Sequence, residues 1–379
     1  MALITSTTTL RPGVLYCFIG DLKFGEQDLC CVGCTFVVYT GLTLINQQTY
    51  SYRPGGQEAW DAFMNCPHCL HPQMLHDNKG SDGGLAFPPI STGTYQYSST
   101  LDLIEQSPDL PKWLQAEPKL LSLGAIWHDT DKVNLKRYEA AYKYMKKLLT
   151  GKDGAETFLG AKVTSRYMAD KLIEELLEFH YSTIDTVIIE SYIALPTTID
   201  CRVYPVSSRT GVELSVPNVP TLEVAAYMSN RSRDEGDVYR ILFASTMAFM
   251  IYRRGPRQPN LTDLGDDCQM SYMTDMGAYC SMHLDKIPTA RYSKDNYSMY
   301  VVGDGGNYMY AFEHFTTLFQ KYFKYMPKYS DGWALYDVEL DREFDCGTNY
   351  GPGYKRVETT KDVVLDRAAK QPTYRVAWY

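Results

Sequence analysis

Two kinds of hydrophobic pattern alternate along this chain. Short runs rich in β-branched and aromatic residues, at Val14-Leu-Tyr-Cys-Phe-Ile19 and Thr35-Phe-Val-Val-Tyr39, stop at or near glycine and predict strands within 10–60. From residue 135 the period lengthens. Tyr138, Ala141, Tyr142, Met145, Leu148 and Leu149 recur at helical spacing, and Gly151 supplies the stop, so 135–149 is predicted as a helix. Met168, Leu172, Leu176 and Phe179 mark one face of a second helix over 166–181. The run 186–193 is apolar almost throughout and predicts a buried strand. Residues 237–253 are apolar on every side, which predicts a fully buried helix, capped by Asp237 and ended by Gly255-Pro256. A further amphipathic helix is expected over 308–325, and 373–379 alternates as a strand would. The Gly-, Ser-, Asp- and Pro-rich stretch 77–100 interrupts both patterns and reads as a boundary.

These elements predict an α+β protein with three parts. The first is a zinc-ribbon-like module over 1–80, the second a loop or linker over 81–100, and the third a larger mixed α/β domain over 101–379. A chain of 379 residues has room for two or three domains.

Cysteine spacing singles out the first part. Six of the ten cysteines precede residue 70, and two Cys-x-x-Cys pairs stand there, Cys31-Val-Gly-Cys34 and Cys66-Pro-His-Cys69. Each such turn aims two sulfurs at one point, and two turns complete a tetrahedral S4 site suited to Zn2+. The expected ligands are therefore Cys31, Cys34, Cys66 and Cys69; Cys30, His68, His71 and His76 are the alternatives nearby, with His71 as the alternative fourth ligand. Such a closed site is structural, because it leaves no position for water. The plainer alternative is that these are buried free cysteines packing as small hydrophobes. The start of the chain shows no basic region followed by a long apolar stretch, so a reducing compartment is expected, where paired cysteines read as metal ligands.

The segment Cys30-Cys31-Val-Gly-Cys34-Thr-Phe-Val-Val-Tyr39-Thr-Gly41 resembles the zinc-finger segment of the outer-capsid protector proteins of turreted reoviruses, and Gln57-Glu58-Ala-Trp60-Asp61 is similar to a short pattern in them. The resemblance spans about 45 residues. It implies a virion protein assembled in the host cytoplasm, which covers another coat protein. Its partners would be other capsid proteins or copies of itself.

Charge and composition narrow the alternatives. The net charge of −8, with six basic against eleven acidic residues before position 121, argues against nucleic acid as the main partner. Lys136, Lys143 and Lys147 share a face of the 135–149 helix and could touch RNA, but the ordinary meaning of such a run is a solvated face. No apolar run approaches the ~20 residues of a membrane span. The 31 tyrosines suit protein–protein contact, or a strand-rich domain with half-exposed rings.

No catalytic motif stands out. Cys280-Ser-Met-His283-Leu-Asp285, Trp127-His128-Asp129, Gly303-Asp-Gly-Gly306, Asp266-Asp267 and the acids Asp341, Glu343 and Asp345 each lack the partners a named reaction needs. The expected function is thus structural and not enzymatic. A zinc-containing enzyme with its site in 260–350 and a zinc-dependent RNA binder are the alternatives.

Overall fold

The computed structural model describes residues 13–20, 33–40, 42–45, 48–51, 63, 82–87, 120–129, 131, 134–179, 183–193, 201–211, 219–236, 239–275, 290–341 and 355–365. In chain order its strands begin with β1 (Val14–Ile19) and β2 (Phe36–Tyr39), followed by a hairpin of β3 (Leu42–Ile45) and β4 (Gln48–Ser51). Next come β5 (Asp82–Phe87), β6 (Leu120–Asp129), β7 (Glu156–Lys162), β8 (Thr186–Glu190) and β9 (Arg240–Thr246). The last six are β10 (Phe249–Arg253), β11 (Met270–Thr274), β12 (Arg291–Ser293), β13 (Ser298–Gly303), β14 (Tyr308–Phe312) and β15 (Gly332–Tyr336).

Eight of these strands close on themselves in the order β1-β15-β9-β8-β7-β6-β5-β2, and every neighbouring pair is parallel. A closed ring of eight parallel staves with helices outside is the (β/α)8 barrel. Five described helices accompany it: α1 (Glu139–Leu149), α2 (Arg166–Glu178), α3 (Leu222–Asp234), α4 (Phe315–Tyr329) and α5 (Lys355–Leu365). Between β9 and β15 the chain adds a five-stranded antiparallel sheet, ordered β11-β10-β14-β13-β12.

Strand parity explains why these runs are apolar on both sides. Along β1, Val14, Tyr16 and Phe18 enter the cluster that fills the barrel, together with Phe158, Ile188, Tyr192 and Tyr336. Leu15, Cys17 and Ile19 face the other way and pack beneath the helices. A parallel stave is covered on both faces, so its sequence shows little alternation.

The same fact corrects the expected helix over 237–253. That stretch is two strands, β9 and β10, joined through Met247 and Ala248. Leu242 and Ala244 face the barrel interior, while Ile241 and Phe243 face the helices. An apolar run buried on both faces has no periodicity by which to tell strand from helix. The 308–325 expectation fails at its start, where β14 precedes α4. His314 caps that helix, its Nδ1 accepting from the Thr316 backbone N at 3.3 Å. The helices at 135–149 and 166–181 are present as α1, preceded by a 3-10 turn at Leu135–Tyr138, and α2, and the strand at 186–193 is present as β8.

The α+β reading with a separate zinc-ribbon-like module is likewise overturned. Phe36–Tyr39, expected to leave a metal knuckle, is a stave hydrogen-bonded between β1 and β5. Strand β1, from the 1–80 segment, pairs with β15 from the far end of the chain. Asp82–Phe87 lies inside the expected 81–100 linker and is a stave too. The expected boundaries between 1–80, 81–100 and 101–379 therefore fall across one continuous barrel. Residues 373–379 lie outside the described residues.

Candidate functional site at the barrel mouth

Chemistry in a barrel of this type gathers at the C-terminal ends of the strands, where the loops leave. Here those ends carry a row of ionisable side chains. Glu190 closes β8, its neighbour in register on β7 is Lys162, and the neighbour of Lys162 on β6 is Asp129. Parity turns Glu190 inward, because Ile188 two residues earlier fills the barrel. The serine that follows fixes that position. Ser191 Oγ donates to the Ala244 carbonyl at 2.8 Å and accepts from the Ala244 N–H at 2.9 Å, prolonging the β8–β9 pairing past Glu190.

Aromatic rings floor the mouth. Tyr336 ends β15 and stacks on Phe18 at 4.4 Å between centroids, and Tyr192 lies 5.1 Å from Tyr336. The Tyr336 hydroxyl passes over Gly160, where an added Cβ would stand 3.1 Å from it, so glycine is what admits the phenol. Asp337 follows in the left-handed region at φ 56°, and Thr246 Oγ1 donates to its Oδ2 at 2.6 Å. A non-glycine residue held there costs of order 1–3 kcal/mol, and such strain concentrates at functional sites. Glu339, one turn later and buried, accepts from the Gly20 N–H at 2.8 Å and ties the ends of β15 and β1 together.

Two buried polar atoms at the mouth have no partner among the described residues, Glu190 Oε1 and Tyr336 Oη. Burial pushes the Glu190 carboxyl up to about 7; Lys162 opposes the shift and Asp129 adds to it. Burial, then the charges of Glu190 and Asp337, raises the Tyr336 phenol well above its usual value. Near neutral pH, Glu190 can therefore hold a proton and give it up, which is what a general acid requires. The rings supply flat apolar faces beside it.

Of the metal ligands expected from sequence, only Cys34 is among the described residues, and it lies away from the mouth. Cys34 is joined to Cys17 of β1 in a disulfide, so its sulfur is not a thiolate available to a metal. Cys31, Cys66, Cys69 and His71 lie outside the described residues. Among the described residues, no group of three or more His, Cys, Asp or Glu side chains is placed to hold a metal ion. A second disulfide joins Cys201 and Cys268.

Lys136, Lys143 and Lys147 are exposed on the outer face of α1 and its leading turn. Lys143 pairs with Glu139 at 2.5 Å, as on any solvated helix. Asp267 pairs with Arg202 at 3.2 Å, and Asp341 is buried against Arg356. Gly303–Gly306 is a turn, with positive φ at Asp304, Gly305 and Gly306. Cys280, His283, Asp285, Glu343 and Asp345 lie outside the described residues.

Among the described residues of the motifs read from sequence, Asp129 reaches the mouth. Tyr336 and Asp337 fall within the 260–350 segment expected for an enzyme site, but Glu190 does not. The signal that was there is the shape of the β8 run, a buried apolar strand ending in a lone acid.

No family model and no curated protein matches the chain. Solved structures do. Human YKL-39, described as a pseudo-chitinase with retained chitooligosaccharide binding properties, superposes with a TM-score of 0.66 at 11% identity, covering 93% of this chain and 99% of that one. Catalytic domain 2 of the Ostrinia furnacalis Group II chitinase gives 0.67 at 12% identity, covering 95% and 98%. The class V chitinase of Nicotiana tobaccum gives 0.59 at 12% identity, covering 93% and 98%. The capsid reading, with its virion location and absence of catalysis, is overturned by this fold: the cysteine-flanked strand on which it rested is a stave of a barrel shared with chitinases. Among the described residues no helix is long and apolar enough to cross a membrane. At these identities the likeness establishes the fold, a chitinase-like (β/α)8 barrel with an antiparallel sheet inserted before its last stave.

Proposed function

We propose that the barrel mouth binds a β-linked amino-sugar oligosaccharide of the chitooligosaccharide class, and that Glu190 is the acid placed to protonate a glycosidic oxygen there. The observation that carries the reading is Glu190 itself, an inward-facing carboxyl at the C-terminal end of a stave, beside stacked rings, with one oxygen unpartnered among the described residues. The protonated carboxyl donates to the bridging oxygen as the bond to the anomeric carbon breaks, and water supplies the hydroxyl that replaces it. Glycoside hydrolysis ordinarily employs a second carboxylate, and Asp129, two strands away in the same register, is the candidate. The two disulfides favour an oxidising compartment for this work.

Titration calorimetry with chitotetraose, alongside product analysis, tests both parts. Binding is expected, weakened about tenfold or more by Tyr336→Ala. Turnover is expected to disappear in Glu190→Gln while binding persists, and kcat/KM should fall as pH rises through about 7. Absence of binding by any chitooligosaccharide would overturn the saccharide reading. Binding without turnover by the unaltered protein would leave that reading in place and remove the proton-transfer step.

A further inference from the structure

A second concavity, of about 710 Å3, opens on the inserted sheet, and its residues take no part in the mouth. Three segments build it. The β12–β13 hairpin contributes Tyr292, Lys294 and Tyr297, α4 contributes Gln320, Phe323 and Lys324, and Arg209 comes from the segment after β8. The α4 residues are spaced i, i+3, i+4 and so share one helix face.

The hairpin tip is held in place from behind. Ser207 Oγ donates to the Asn296 carbonyl at 2.8 Å, the Arg209 N–H donates to the Asp295 carbonyl at 3.3 Å, and Asn296 Nδ2 donates to Ser293 Oγ at 2.8 Å. Tyr297 sits in the left-handed region at φ 47°, a conformation that costs an aromatic residue about 1–3 kcal/mol. The fold keeps this strain and thereby sets the ring into the wall.

Charge and shape point to one kind of ligand. Three cations stand against a single lining carboxylate, Asp295. Arg209 Nε is buried and makes no hydrogen bond among the described residues, while the guanidinium is ion-paired with Glu223 at 3.8 Å. Lys324 Nζ donates to Tyr297 Oη at 2.9 Å and lies 5.3 Å from the centroid of the Tyr325 ring, which holds its charge at the pocket edge. Phe323 is 45% exposed and, with the rings of Tyr292 and Tyr297, gives the pocket aromatic faces. Guanidinium and ammonium donors favour a phosphate or sulfate oxygen, and the aromatic faces favour a flat ring.

We propose that this pocket binds a small compound that joins a phosphate or sulfate group to a ring, with Arg209 and Lys294 on the anion and Phe323 and Tyr297 on the ring. The volume is that of an ordinary small-molecule site. Calorimetry on the full chain at low salt would use adenosine monophosphate, glucosamine 6-sulfate, inorganic phosphate and uncharged adenosine. At least one ring-bearing anion is expected to bind about tenfold or more tightly than phosphate or adenosine alone, and which one it is names the source. Lys294→Glu and Phe323→Ala alter exposed side chains and should each weaken that binding about tenfold, whereas Glu190→Gln should leave it unchanged. The proposal is overturned if neither ring-bearing anion exceeds inorganic phosphate, or if binding survives both substitutions.

Discussion

At the floor of the barrel, Glu156 accepts hydrogen bonds from the Tyr16 hydroxyl and from Arg240 Nη1, the latter at 2.7 Å. At the mouth, Glu190 lies beside Tyr336 with neither Glu190 Oε1 nor the phenol oxygen partnered among the described residues. Both carboxyls are raised by burial. Tyr16 and Arg240 restrain the rise of Glu156 through hydrogen bonds and charge, while among the described residues the charge of Lys162 opposes the rise of Glu190. The two ends share a residue pair and differ in whether the pair is satisfied. A satisfied buried network ties strands together, whereas an unsatisfied one is a cost the fold carries and a ligand can relieve. This matches the division of such barrels into a stabilising floor and a working mouth.

The largest effect that would break this comparison is at the floor. Glu156→Ala strands the Arg240 guanidinium and removes an acceptor from Tyr16, so urea unfolding should show a loss of about 3–4 kcal/mol. A loss under about 1 kcal/mol would mean the floor network contributes little.

Next comes the pH dependence of the mouth. Below the ordinary carboxyl value of 4.5, both folded and unfolded chains hold the Glu190 proton, and the residue adds nothing. Between 4.5 and about 7 the unfolded chain releases that proton while the folded one retains it, so stability falls as pH rises. Above about 7 the loss is complete, on the order of 3 kcal/mol. Glu190→Gln should remove that decline, so the variant is expected to match the parent at pH 4 and exceed it at pH 8. Parallel stability–pH curves for the two proteins would sink the assignment.

The smallest effects sharpen the contrast. Tyr16→Phe takes a donor from a buried carboxyl and should cost about 1–2 kcal/mol. Tyr336→Phe deletes a hydroxyl with no partner among the described residues and should change stability by less than about 0.5 kcal/mol, while weakening saccharide binding. Equal costs at the two tyrosines would erase the distinction between the ends.

Much of the secondary structure was legible from pattern alone. Helices α1 and α2 keep one apolar face against the barrel, so their 3.6-residue period survives in the sequence, as Tyr142, Met145, Leu148 and Leu149 show. Strand β8 was legible as a short continuous apolar run. The stretch 240–253 was not, because β9 and β10 are buried on both faces, and a residue's partner on each face lies far away in the chain. Gly332 of β15 pairs with Val14 on one side and Leu242 on the other, and no local spacing records that. Cys34 misled for the same reason. Its nearest cysteine in sequence suggested a knuckle, while the fold placed Cys17 within bonding distance.

The sequence by itself determined the helices that show one face to water, the strand character of the apolar runs near the N-terminus and at 186–193, and the surface role of the 135–149 lysines, because each of these is settled within a few neighbouring residues. Tertiary structure alone decided that eight such runs close into one barrel, that Glu190 faces inward at a mouth floored by Phe18, Tyr192 and Tyr336, and that Glu156 is hydrogen-bonded while Glu190 Oε1 has no partner among the described residues. Parallel pairing joins residues tens to hundreds of positions apart, and a carboxyl becomes an acid near neutrality only through the burial that this closure imposes.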